Sequence, residues 1–219
     1  MTDAQPQITV AIPVFEQMTA LDGIGPYDVL QRHPGIDIAF VGLARGEIRT
    51  ENGFLGLTAD LALDELRNPD VIVVPGGFGT RALARDERML DWIRTAHPTT
   101  RYTTSVCTGS LVLGAAGLLD GLTATTHWST YPALEAYGAT PTGTRVVEHL
   151  DRRIITAAGV SSGIDMALRL MELLFDRTAA EAAQLMIEYD PQPPFAAGSV
   201  EAAGDEVMAR VVEYAQHRR

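Results

Sequence analysis

One cysteine, Cys107, stands in the string Ser105-Val106-Cys107-Thr108-Gly109-Ser110. The residues before it, Arg101 to Val106, are β-prone, and Leu111 to Leu119 (LVLGAAGLL) is apolar at helical spacing and stops at Asp120-Gly121. Strand, tight turn of small residues, helix: that order presents a nucleophile at an elbow. A thiol in the turn faces the positive end of the helix dipole and its free N–H groups. Both predict a pKa below the free value of about 8.5 and an attacking thiolate. A lone cysteine also serves as a small buried hydrophobe, so the elbow context carries the argument for reactivity.

Other strand ends supply candidate partners. Pro75-Gly76-Gly77 ends the run Val71 to Val74, and the bare amides of Gly76 and Gly77 suit an oxyanion pocket, although a tight turn needs glycines too. Gly109 and Val160 complete the expected substrate- and oxyanion-binding set. Asp22, in Ala20-Leu21-Asp22-Gly23-Ile24-Gly25-Pro26, is either the N-cap of a helix from Gly25 to Arg32 or a carboxyl group beside the thiol. His127, twenty residues past the cysteine in Thr125-Thr126-His127-Trp128, is a secondary candidate for a Cys–His pair. His33, His97, His149 and His217 show no metal-ligand spacing, so no metal site is expected.

The elements that must position these groups alternate. Ile8 to Phe15, Ile36 to Leu43 and Val71 to Val74 are apolar runs of strand length, suited to a sheet covered on both faces. Pro26 suits the first turn of the helix between the first two runs. Asn52-Gly53 marks a hairpin within Glu47 to Thr58. Asp86 is a plausible cap for a helix over Glu87 to Ala96, and Asp151-Arg152 joins two further strands, Arg145 to Glu148 and Ile154 to Thr156. Two helices follow, Ser161 to Phe175 and Thr178 to Tyr189, with Asp176 or Thr178 as the cap between them. A Pro-, Ala- and Gly-rich irregular arm runs from Pro191 to Gly204, and Glu206 to His217 suits a last helix. Such alternation predicts a three-layer α/β sandwich with a mostly parallel central sheet and sites beyond the carboxyl ends of its strands.

Composition excludes several functions. With 219 residues the chain suits one domain, 1–219, with an arm at about 191–219. A net charge of −11 argues against nucleic acid and anionic membranes as partners. All 17 basic residues are arginine, which removes Schiff-base chemistry and the P-loop lysine. No apolar run reaches the roughly 18 residues of a membrane span, Met1 to Gln7 lacks a signal-peptide pattern, and a single cysteine allows no internal disulfide. The expected location is the cytoplasm.

The order of strand with acidic loop, VIVVPGG and strand–Cys–helix resembles the DJ-1/PfpI superfamily, of flavodoxin-like fold and glutamine amidotransferase-like kinship. Within it, TSVCTGSLVLGAAGLLDG followed by ATTHW, together with LDGIGPYDVL, SSGIDMAL and PPFAAGS, resembles the isonitrile (isocyanide) hydratases. The resemblance implies Cys107 as nucleophile, Asp22 as its acid/base partner, Thr108 as a supporting hydroxyl, no cofactor, a homodimer and a small isocyanide substrate. Relatives described as proteases carry His after the cysteine, where this chain has Thr108. The hydratases show a glycine-rich run where this chain has Ala157-Ala158-Gly159-Val160-Ser161-Ser162, so the pocket is expected to differ there. The implied reaction is hydration of R–N≡C to an N-substituted formamide through a cysteine thioimidate. The alternatives are a glyoxalase or deglycase on the same fold and a cysteine-based redox or ligand sensor, of the kind fused elsewhere to AraC-type DNA-binding regions.

Overall fold

Val71–Val74 is an unbroken run of β-branched side chains, stiff at χ1 and suited to a pleated surface. Alternate residues of the run point to opposite faces, so an unbroken apolar strand demands a core on each side. The computed structural model, which describes residues 7–216, supplies both. Ile72 and Val74 join one cluster with Met89, Ile93 and Leu113, while Val71 and Val73 join another with Val29, Met166 and Leu170. Ile8, Val10 and Ile12 face the second cluster and Ala11 the first.

In chain order the elements are β1 (Ile8–Pro13), α1 (Ala20–Leu30), β2 (Ile36–Gly42), β3 (Gly46–Arg49), β4 (Gly56–Ala59), β5 (Leu61–Ala62) and β6 (Val71–Val74). Then come α2 (Thr80–Leu83), α3 (Glu87–Ala96), β7 (Tyr102–Val106), α4 (Gly109–Ala115), β8 (Thr123–Ala124), α5 (Tyr131–Glu135) and β9 (Thr140–Pro141). The last are β10 (Val146–His149), β11 (Ile154–Ala157), α6 (Ser162–Leu174), α7 (Arg177–Met186) and α8 (Val200–Gln216). The main sheet runs β10-β11-β7-β6-β1-β2-β5. Only the β10/β11 pair is antiparallel within it, so the expected flavodoxin-like sandwich with a mostly parallel sheet is what forms.

The chain passes from β1 to β2 on one side and returns to β6 on the other side of β1. That reversal opens a crevice beyond the carboxyl ends of the strands, where α/β sheets place their sites. Register carries the neighbours to the same level: Val74 lies opposite Ser105, and Val106 opposite Ala157. The turns after β1, β6, β7 and β11 therefore converge.

Several local expectations hold. Asp86 and Asp176 cap α3 and α7 by accepting from the N–H groups of Arg88 and Ala179. Asn52 and Gly53 adopt φ of 64° and 71° in the turn between β3 and β4. Three expectations are corrected. The first helix begins at Ala20, so Asp22 lies inside its first turn and Pro26 well within it; Thr19, not Asp22, occupies the N-cap position. Helix α4 ends at Ala115, short of Leu119, because Gly114 and Gly117 weaken its continuation, Gly117 at a φ of 82°. Helix α8 starts at Val200 rather than Glu206, interrupted at Gly204, where φ is 69°. Residues up to Ile187 form one unit, and those from Glu188 onward form a second. Met1 to Pro6 and His217 lie outside the described residues.

Candidate active site

At the end of β7, Cys107 adopts a φ of 56°, left-handed and costly for a residue with a Cβ, on the order of 1–3 kcal/mol. The surroundings hold it there. Its N–H donates to the carbonyls of Ala157 and Ala158 at 3.1 and 2.9 Å, and its carbonyl accepts from the Ser110 and Thr126 hydroxyls, both at 3.1 Å. The elbow inferred from sequence is present, braced by β11 on one side and by two hydroxyls on the other.

Asp22 is wholly buried, although it is a carboxyl group in a first turn. The Gly76 N–H donates to Oδ2 at 2.9 Å, and Oδ1 has no hydrogen-bond partner among the described residues. Gly76 makes the convergence sterically possible. A Cβ there would lie 2.6 Å from the Thr108 nitrogen, 2.7 Å from Asp22 Oδ2 and 2.8 Å from Cys107 Cβ. The carboxyl and the thiol are close enough to shift one another's titration.

Burial pushes the Asp22 carboxyl up to about 7, against the Gly76 N–H and the thiol, which favour the anion; the Glu51 carboxylate pushes the same way as burial. Burial likewise pushes the Cys107 thiol up to about 12, and the Asp22 charge adds to this, while the N–H groups of Val160 and Thr108 favour the sulfur anion. These influences run against the resting thiolate expected from the helix end. Helix α4 has only seven residues, and Cys107 is 5% exposed beside a carboxyl group, so burial is the largest influence on the thiol. Burial favours the protonated form of both groups, and they lie close enough to exchange a proton.

The glycine amides take a different part from the one expected. The Gly76 N–H holds Asp22, and the Gly77 N–H donates to Thr108 Oγ1 at 2.9 Å, so both are already engaged rather than open to an oxyanion. Thr108 Oγ1 also bonds the Gly77 carbonyl and Thr80 Oγ1, which anchors the elbow to the β6 turn. A Cβ on Gly109 would collide with the Val74 carbonyl, so this glycine permits close helix–strand packing. Val160 is β-branched yet has a φ of 33°, and its amide faces the sulfur, which makes it the stronger donor candidate. His127 bonds Ser129 Oγ through Nδ1 at 2.7 Å and packs against Gly159, where a Cβ would meet its Cδ2 at 2.7 Å. It borders the turn that carries Val160.

Sequence reasoning missed Ser110, Thr126 and Glu51. The hydroxyls carry no local signal, and Glu51 was visible only as a residue beside a hairpin turn. Among the described residues no three His, Cys, Asp or Glu side chains gather as metal ligands, and no helix is long and apolar enough to cross a membrane.

A mostly parallel sheet between helix layers, with a cysteine on a strained elbow and a carboxyl group from the first βα segment, defines an elbow-cysteine protein of flavodoxin-like fold. The chain belongs to the DJ-1/PfpI family, which residues 8–173 match. It is 42% identical over 201 residues to the isonitrile hydratase of Pseudomonas putida, covering 92% of this chain and 87% of that one. A ThiJ/PfpI family protein of Pseudomonas syringae superposes with a TM-score of 0.90 at 39% identity, over 97% of this chain and 87% of that one. The HTH-type transcriptional regulator GbdR of Pseudomonas aeruginosa is 31% identical over 138 residues, 62% of this chain and 37% of the regulator.

Proposed function

We propose that this protein hydrates an isocyanide to an N-substituted formamide through a covalent bond to Cys107. The observation that carries the proposal is the buried thiol–carboxyl pair of Cys107 and Asp22, in a chain 42% identical to an isonitrile hydratase. The Asp22 carboxylate takes the thiol proton as sulfur attacks the terminal carbon of R–N≡C. That carbon, left with a lone pair, receives the proton back from the carboxyl group, giving the thioimidate R–N=CH–S–Cys107. The carboxylate then deprotonates water attacking the same carbon, and the proton passes to the departing sulfur. The imidic acid released, R–N=CH–OH, tautomerises to R–NH–CHO, so R–NC and water are the only reactants consumed. One carboxyl group acts as base and acid in alternation, which a pKa near neutrality suits. The Val160 and Thr108 amides support the sulfur whenever it carries charge, and no metal or cofactor enters the scheme.

We further propose a homodimer, as the family resemblance implies, and a cytoplasmic setting that keeps the sole cysteine reduced. Light scattering after gel filtration tests the dimer. The function is tested with p-nitrophenyl isocyanide, following formamide by NMR. Wild type forms it and Cys107→Ser does not; equal rates, or no formamide from a panel of alkyl and aryl isocyanides, overturn the proposal. The second reading, a ligand or redox sensor, is favoured by the similarity to GbdR, and reversible Cys107 oxidation without turnover supports it.

A further inference from the structure

We propose that Glu51 is a specificity-determining residue whose carboxylate guards the approach to Cys107 and admits uncharged or cationic electrophiles in preference to anionic ones. For the substrate this rests on the isocyanide reading above, and it means an R group that is apolar and carries no negative charge.

The turn between β3 and β4 is fastened to the segment before α1. The Glu51 N–H donates to the Met18 carbonyl at 3.0 Å, and the Gln17 N–H donates to the Arg49 carbonyl at 2.8 Å. The Glu51 side chain then reaches the β6 turn, where Oε1 accepts the Phe78 N–H at 3.3 Å. Phe78 lies two residues after Gly76, whose N–H holds Asp22, and Met18 bridges Gly77. Backbone bonds to Glu51 N–H and Oε1 therefore hold this carboxylate beside the turn whose Gly76 N–H binds Asp22, and its charge is felt at Asp22.

Neighbouring cations are turned elsewhere. Arg49 pairs with Glu47, Arg81 lies 5.1 Å over the Phe78 ring, and Glu51 has no ion pair among the described residues. Glu16, the other acid of this region, accepts the Arg49 N–H. The charged and titratable groups that act on Asp22 are thus Cys107 and Glu51. Large apolar side chains are exposed on the same segments: Leu21 on α1, Phe54 and Leu55 between β3 and β4, and Phe78 after β6. A carboxylate without an ion pair repels an incoming anion while leaving a neutral molecule unaffected.

Because Cys107 is the sole cysteine, alkylation reads this selection directly, whether or not isocyanides are substrates. Iodoacetamide and iodoacetate, of similar size and differing by one charge, are compared by mass spectrometry at about pH 8.5, where Asp22 is ionised. Glu51→Gln, which keeps an acceptor for Phe78, should raise the iodoacetate rate about tenfold at low salt and leave the iodoacetamide rate within about twofold. The gain should shrink in about 1 M salt. Glu51→Asp should keep the wild-type ratio, and Glu16→Gln should leave it unchanged. A ratio that Glu51→Gln does not move, one that Glu16→Gln moves equally, or a wild-type thiol that neither reagent reaches overturns the proposal. If the ratio shifts but no isocyanide is hydrated, the function proposal fails and the charge selection stands. If neutral and carboxylate-bearing isocyanides are hydrated equally by wild type and Glu51→Gln, the reverse holds.

Discussion

Asp22→Asn should make this protein more stable while disabling it, and the stabilisation should depend on pH. In the folded chain burial holds the carboxyl at about 7, whereas an unfolded aspartate titrates near 3.8. A group with a raised folded pKa favours the native state fully below its unfolded pKa. That advantage is lost as pH rises through the folded pKa, because the native state must then hold a buried anion. At 1.36 kcal/mol per unit, the anion costs about 4 kcal/mol above pH 8 and about 2 kcal/mol near pH 5, relative to a side chain that never ionises. Asparagine keeps an oxygen for the Gly76 N–H, so the bond that orients the side chain survives. Urea unfolding at about pH 5 and pH 8.5 measures the difference between variant and wild type. The stabilisation should be larger at pH 8.5 by roughly 2–3 kcal/mol, or roughly 5–10 °C in Tm for a chain of this size. Equal differences at both pH values, or a destabilised variant at pH 8.5, would mean that burial does not keep this carboxyl neutral and that the acid–base alternation assigned to it is wrong.

Three further outcomes follow from the same geometry. Formamide production should rise with pH through about 7 as Asp22 gains the charge needed to accept the thiol proton; a profile flat from pH 5 to 8 removes that role. Gly76→Ala should cost most of the activity and about 2 kcal/mol or more of stability, since its methyl would press on Thr108, Asp22 and Cys107 together, and near-wild-type kinetics would refute the packing argument. Gly159→Ala should slow turnover by pushing against the His127 ring and displacing the Val160 amide, and adding His127→Ala should restore much of the loss; a double variant no faster than the single one would separate His127 from that turn.

What the chain disclosed unaided is what short-range chemistry dictates. Runs of four to eight apolar, β-rich residues announced strands buried on both faces, and alternation with helical segments announced a parallel sheet. Small residues on both sides of Cys107 announced an elbow. Asp22, Gly76 and Gly77 were nameable because parallel strands deliver their following turns to one edge. Tertiary structure decided everything governed by burial and by partners distant in the chain. It raised the thiol's pKa where a helix end alone predicted the reverse. It committed the Gly76 and Gly77 amides to Asp22 and Thr108, bent Val160 to a φ of 33° against the sulfur, and carried Glu51 across from a hairpin. Desolvation belongs to the whole packed molecule and no residue type encodes it, so the sequence could pair Cys107 with Asp22 but could not give the upward push that enclosure exerts on both.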